Sequence, residues 1–107
     1  MLKKDFLERF SISESEFREA GLSWDDLCYI AKDYARRLPD LRRIRDEFGG
    51  RTTLGVSNIS FGLPQREIIN SAFFTMAMEC GLNAAIINPN SEAMMRAYYS
   101  FRALMDL

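Results

Sequence analysis

Apolar residues recur at helical spacing through the first 48 positions and fall into short unbroken runs after that. Phe6, Leu7 and Phe10 make one apolar patch. "SESE" (Ser13 to Glu16) sets an acid three residues after a serine, the signature of a capping box. It predicts a short helix that Gly21 closes. "SWDD" (Ser23 to Asp26) repeats the signal with Asp in place of Glu. The helix it opens carries Leu27, Ile30, Ala31, Tyr34 and Leu38 on one face, and Pro39 ends or kinks it. Leu41, Ile44 and Phe48 continue the spacing up to Gly49-Gly50, a helix stop.

The second half alternates. "RTTLGVS" (Arg51 to Ser57) is β-branched and nearly uncharged, which predicts a strand. "PQREIINSAFFTMAMECG" predicts a helix with Pro64 in its first turn and Gly81 at its end. "NAAIIN" (Asn83 to Asn88) is a second strand, and a last helix opens at Asn90 or Ser91. Both strands are apolar throughout, the mark of parallel strands covered on both faces. The fold class expected is α/β: a helical segment over residues 1–48, then a β-α-β-α unit over residues 49–107. Charge supports that boundary, because residues 1–48 hold 21 of the 29 charged side chains.

Composition removes several function classes. The formal net charge of −1 gives no electrostatic footprint for nucleic acid or an anionic membrane. No apolar run approaches the roughly 18 residues that a membrane span needs. Lys3 and Lys4 fall where a signal peptide needs its apolar core, so a cytoplasmic location is expected. Cys28 and Cys80 are the only cysteines and there is no histidine, so neither a four-ligand zinc site nor a Ser-His or Cys-His nucleophile is available. Both thiols read as half-buried helix residues. Met76, Met78, Met94, Met95 and Met105 read as core filler. "RRIRDE" reads as a solvated face with an Arg42–Asp46 pair. A phosphate-binding cluster of Arg36, Arg37, Arg42, Arg43 and Arg45 is the alternative, and the interleaved acids argue against it.

Candidate chemistry gathers at strand ends, where parallel α/β folds hold their ligands. Ser57 and Asn58 close the first strand and Asn88 closes the second. An amide donates and accepts hydrogen bonds without charge, which suits ligand contact. The plainer alternative is that Asn58 starts a turn and Ser57 satisfies local backbone.

The stretch "RTTLGVSNISFGLPQREIINSAFFTMAMECGLNAAIINPN" (Arg51 to Asn90), above all its "GVSNISFGLPQR" core, resembles the pterin-binding methyltransferase family. That family includes the methyltetrahydrofolate-binding module of cobalamin-dependent methionine synthase and the methyltetrahydrofolate:corrinoid methyltransferases. The resemblance implies a (β/α)8 barrel of which residues 49–107 are the last two strand–helix units. It implies methyltetrahydrofolate as substrate and a corrinoid (cobalamin), on its own domain or protein, as methyl acceptor. It places Asn58 near the pterin N5 that carries the methyl group, as the catalytic residue. It places Gly55, Ser57 and Asn88 as further pterin contacts, with Gly55 letting the ligand approach the backbone.

A full barrel takes about 250 residues, so two units imply a fragment or fusion that is not competent alone. Residues 6–44 faintly resemble the helical lead-in of alarmone synthetases, without their catalytic motifs. The alternative function is a small α/β interaction module with no enzymatic activity, docking on a partner or forming a homo-oligomer, since two parallel strands leave edges open.

Overall fold

Ser13 opens its helix as the capping box requires: its Oγ accepts from the Glu16 amide at 3.0 Å and Glu16 Oε1 accepts from the Ser13 amide. The computed structural model describes residues 2–33 and 37–105, so Tyr34 and Arg36 lie outside the described residues. Among the described residues six α-helices and two strands run in the order α1 (Lys3–Arg9), α2 (Glu14–Glu19), α3 (Trp24–Asp33), α4 (Leu38–Phe48), β1 (Thr53–Gly55), α5 (Arg66–Glu79), β2 (Ala84–Ile86) and α6 (Glu92–Leu104). A 3₁₀ turn, Val56–Ser60, follows β1 directly. The architecture is α-rich around one small parallel sheet, in which Thr53, Leu54 and Gly55 pair with Ala84, Ala85 and Ile86.

Several expected boundaries move. Leu38 and Pro39 do not end α3 but open α4, where a proline in the first turn costs no hydrogen bond. Pro64 lies ahead of α5, because Gln65 adopts a left-handed conformation (φ 55°) as the N-cap and Arg66 is the first helical residue. Both strands are shorter than their apolar runs, because each has a single neighbour and the ladder stops where their pairing stops.

The core joins the two halves. Ile30, Leu38 and Leu41 pack in one cluster with Val56, Ile59, Ile69, Phe73, Phe74, Ala77 and Met94. In α5 the buried positions 69, 70, 73, 74 and 77 fall at helical spacing, so one stripe of that helix faces inward, and the C-cap Cys80 continues it. A separate aromatic group holds α1, α2 and α3 together. Phe6 lies 5.1 Å from Trp24 and 6.4 Å from Phe17, centroid to centroid, while Leu7 and Phe17 are buried and Phe10 is exposed. Ile44 and Phe48 complete the spacing of α4 yet point to solvent.

The sheet is not covered on both faces as the apolar strands imply. Ile86 is 70% exposed. The accessible surface is 7540 Å², against about 6,100 Å² for a folded monomer of 12.3 kDa. The radius of gyration, 15.0 Å, exceeds the roughly 13 Å of a compact chain this long. Apolar strands that a larger fold would sandwich here lie partly open.

Smaller expectations also change. Cys28 is exposed and Cys80 buried. Met94 is buried, whereas Met76 and Met105 are about half exposed and fill no core. The Arg42–Asp46 pair does not form: Arg42 Nη2 donates to Cys80 Sγ at 3.7 Å, and Arg45 Nε takes Asp46 at 2.8 Å. That hydrogen bond holds the Asp46 carboxyl below its ordinary range, at an exposed site.

Candidate functional site

Ser57 and Asn58 sit one step beyond the strand, inside the 3₁₀ turn. Val56 and Ile59, three residues apart, both turn into the core. That spacing suits a tight helical turn and rotates Ser57 and Asn58 outward together. Both are exposed. Among the described residues nothing hydrogen-bonds the Asn58 amide or the Ser57 hydroxyl, so neither side chain satisfies local backbone. The residue that does is Ser60, whose Oγ lies 3.1 Å from the Ser57 carbonyl.

The Asn58 amide folds back over Gly55. A Cβ built on Gly55 would stand 3.0 Å from Asn58 Nδ2. Gly55 itself has φ −85° and ψ 88°, a conformation open to other residues. Glycine is needed here for space, and its own neighbour Asn58 takes up that space.

The four candidate residues divide between two cavities. Gly55 and Asn58 line one of about 330 Å³ between the turn and the start of α4, floored by Leu41, Leu54, Ile59 and Phe73 and edged by Asp40. Ser57 and Asn88 line another of about 250 Å³ at the carboxyl ends of the strands, with Arg66, Asn70 and Ser91. Asn88 is partly committed, because its Oδ1 accepts from the Asn90 amide at 3.0 Å. A larger cavity of about 740 Å³, lined by Met78, Leu82, Ala85 and Tyr98 among others, contains none of the four.

Behind the turn lies a polar network that the sequence reading passed over. Ser60 is fully buried, and its Oγ donates to Asn70 Oδ1 at 2.6 Å. Arg66 Nε donates to Ser60 Oγ at 3.0 Å, and Arg66 Nη2 donates to the Ser57 carbonyl at 3.1 Å. The signal was available in "SNISFGLPQREIIN", where Asn70 interrupts the buried stripe of α5.

Parts of this segment are similar to known proteins. A stretch of 53 residues, 50% of this chain, is 45% identical to methylcorrinoid:tetrahydrofolate methyltransferase of Eubacterium limosum, and covers 20% of it. A 77-residue stretch, 70% of this chain, is 39% identical to methionine synthase of Mycobacterium tuberculosis (strain ATCC 25618 / H37Rv), and covers 6% of it. This chain resembles a fragment of the pterin-binding methyltransferase domain. The methionine synthase of Mycobacterium leprae (strain TN) is 50% identical over 40 residues, 36% of this chain and 3% of that enzyme. No family model matches. The chain thus spans a fifth or less of the length of these relatives. The 77-residue match is longer than the whole of residues 49–107, so it takes in α4, whose Leu38 and Leu41 share the main core.

Among the described residues no group of three potential metal ligands forms, and no helix is long and apolar enough to cross a membrane.

Proposed function

We propose that residues 49–107 form part of a methyl-folate site in a pterin-dependent methyltransferase, with Asn58 as the group that meets the pterin at N5. The observation that carries this reading is the Asn58 amide: exposed, without a hydrogen-bond partner among the described residues, and set beside an apolar-floored cavity. Similarity to enzymes named for tetrahydrofolate methyl transfer and methionine synthesis supports it.

Methyl transfer from folate breaks the N5–carbon bond and leaves its electron pair on N5, which must then be held with a proton. A neutral amide can accept from protonated N5 through Oδ1 and donate to unprotonated N5 through Nδ2, without titrating itself. The same contact serves either direction, and the Eubacterium limosum relative is named for transfer from methylcorrinoid to tetrahydrofolate. The corrinoid supplies the methyl acceptor or donor. By the resemblance, the corrinoid arrives on a separate domain or protein. Gly55, Ser57 and Asn88 are secondary contacts, with Ser57 and Asn88 facing the second cavity.

Catalysis by this chain alone is not part of the proposal, because two strands supply only a small part of a ligand's enclosure. Titration calorimetry of the whole chain with methyltetrahydrofolate tests the reading. Weak, saturable heat that Asn58→Ala removes supports it. No heat at high ligand concentration refutes it. The second reading, an interaction module, is favoured by the accessible surface of 7540 Å² and by the open face at Ile86.

A further inference from the structure

We infer that Arg66, Ser60 and Asn70 act as a brace that fixes the 3₁₀ turn and thereby presents Asn58 to the ligand. All three are positioning residues, and the inference rests on the reading of Asn58 given above. Arg66 grips the turn at two points on either side of Asn58 and Ile59: the Ser57 carbonyl at 3.1 Å and Ser60 Oγ at 3.0 Å. The single proton of the Ser60 hydroxyl is shared between Asn70 Oδ1 at 2.6 Å and the Ser57 carbonyl at 3.1 Å, leaving its lone pairs for Arg66. The turn is thus tied to α5 through Asn70, which is 8% exposed. The Phe61 ring lies against the Arg66 guanidinium, 5.2 Å from its centroid. Only a planar fork spans two acceptors while resting on a ring, so lysine is no substitute despite its charge.

The chemistry explains why polar atoms stand behind the site. The Asn58 side chain has no hydrogen bond among the described residues to hold it, so its position depends on the backbone that carries it. That backbone gives up only three residues to the sheet before it turns, which leaves the turn short of ladder bonds. A buried network supplies the order that a longer strand would otherwise provide.

Hydrogen exchange on the full chain measures the brace directly, and a ligand titration measures what it serves. Arg66→Lys and Ser60→Ala should each speed exchange at the Leu63 amide, which bonds the Ser60 carbonyl, and at residues 57–61, by about tenfold. Amides in the middle of α6 serve as the internal reference and should change far less. Asn70→Leu removes the acceptor for Ser60 and should speed exchange in the turn as Ser60→Ala does. Exchange in the turn that is unchanged by Arg66→Lys, or that rises no more than in α6, overturns the brace. Methyltetrahydrofolate is then titrated while the Asn58 side-chain amide resonances are followed. If the unaltered chain shows no response, the ligand reading fails while the exchange result still decides the brace. If the unaltered chain responds, Arg66→Lys should weaken the apparent affinity several-fold and Arg96→Lys, at an exposed ion pair on α6, should not. An unchanged affinity alongside a loosened turn overturns the positioning role.

Discussion

Asn58 separates chemistry from stability more cleanly than its neighbours do. Its side chain is exposed and makes no hydrogen bond among the described residues, so Asn58→Ala should shift the unfolding free energy by less than about 0.5 kcal/mol. Chemical denaturation checks that figure, and the calorimetric titration should lose its heat in the same variant. A loss of about 2 kcal/mol with unaltered ligand heat would make Asn58 a turn-forming residue instead. The polarity of Asn58 and its place after a strand were legible in the sequence. Its rest position was not. The expected close approach of a ligand to Gly55 is blocked at rest by the Asn58 amide, so a ligand that needs that space must first displace it. The division of the four residues between two cavities was also hidden, because it depends on where the strand gives way to the turn.

At the level of elements, caps and stops were the most legible features. The Ser13 capping box, the Ser91 cap and the glycine stops at 21, 49 and 81 are all present, because each is a local contest that a few adjacent residues decide. Gly81 is the most demanding of them. Its φ is +96°, and a Cβ there would stand 2.7 Å from Arg45 Cδ and Nη1. The arginine tip can move, so the backbone sets the cost: Gly81→Ala should destabilise the chain by roughly 1–2 kcal/mol, read from thermal or urea unfolding. Strand lengths were less legible, because an apolar run records what the chain can bury and not what lies alongside it. Val56 and Ile59 belong to such a run, and only their three-residue spacing marks them as a turn.

For the whole molecule, the accessible surface is the telling quantity. It exceeds that of a compact monomer by about 1,400 Å², and a standard protein interface takes about 800 Å² from each partner. The purified chain should therefore self-associate, with a sedimentation coefficient that rises with concentration. A single monomeric species at high concentration would count against this. Ile86→Lys, on the open face of β2, should shift the association toward monomer. The parallel pairing of two distant apolar runs was legible from their composition. The open face followed from the number of strands, since two leave edges and a face uncovered, while their unbroken apolar runs pointed the other way, to cover on both faces.

The aromatic group of α1 to α3 bears on how this protein can be watched. Trp24 is the only tryptophan, and it stacks with Phe6 and Phe17, outside the main core cluster. Its fluorescence therefore reports on the N-terminal helices, while far-UV circular dichroism averages over every helix. Because the two groups of contacts are separate, they can open at different free energies. Emission from Trp24 should change at a different denaturant concentration from the dichroism, and coincident curves would show one cooperative unit. For the same reason, tryptophan emission in a folate titration would report the response of the N-terminal helices, whose Gly21 abuts the Gln65 side chain beside Arg66.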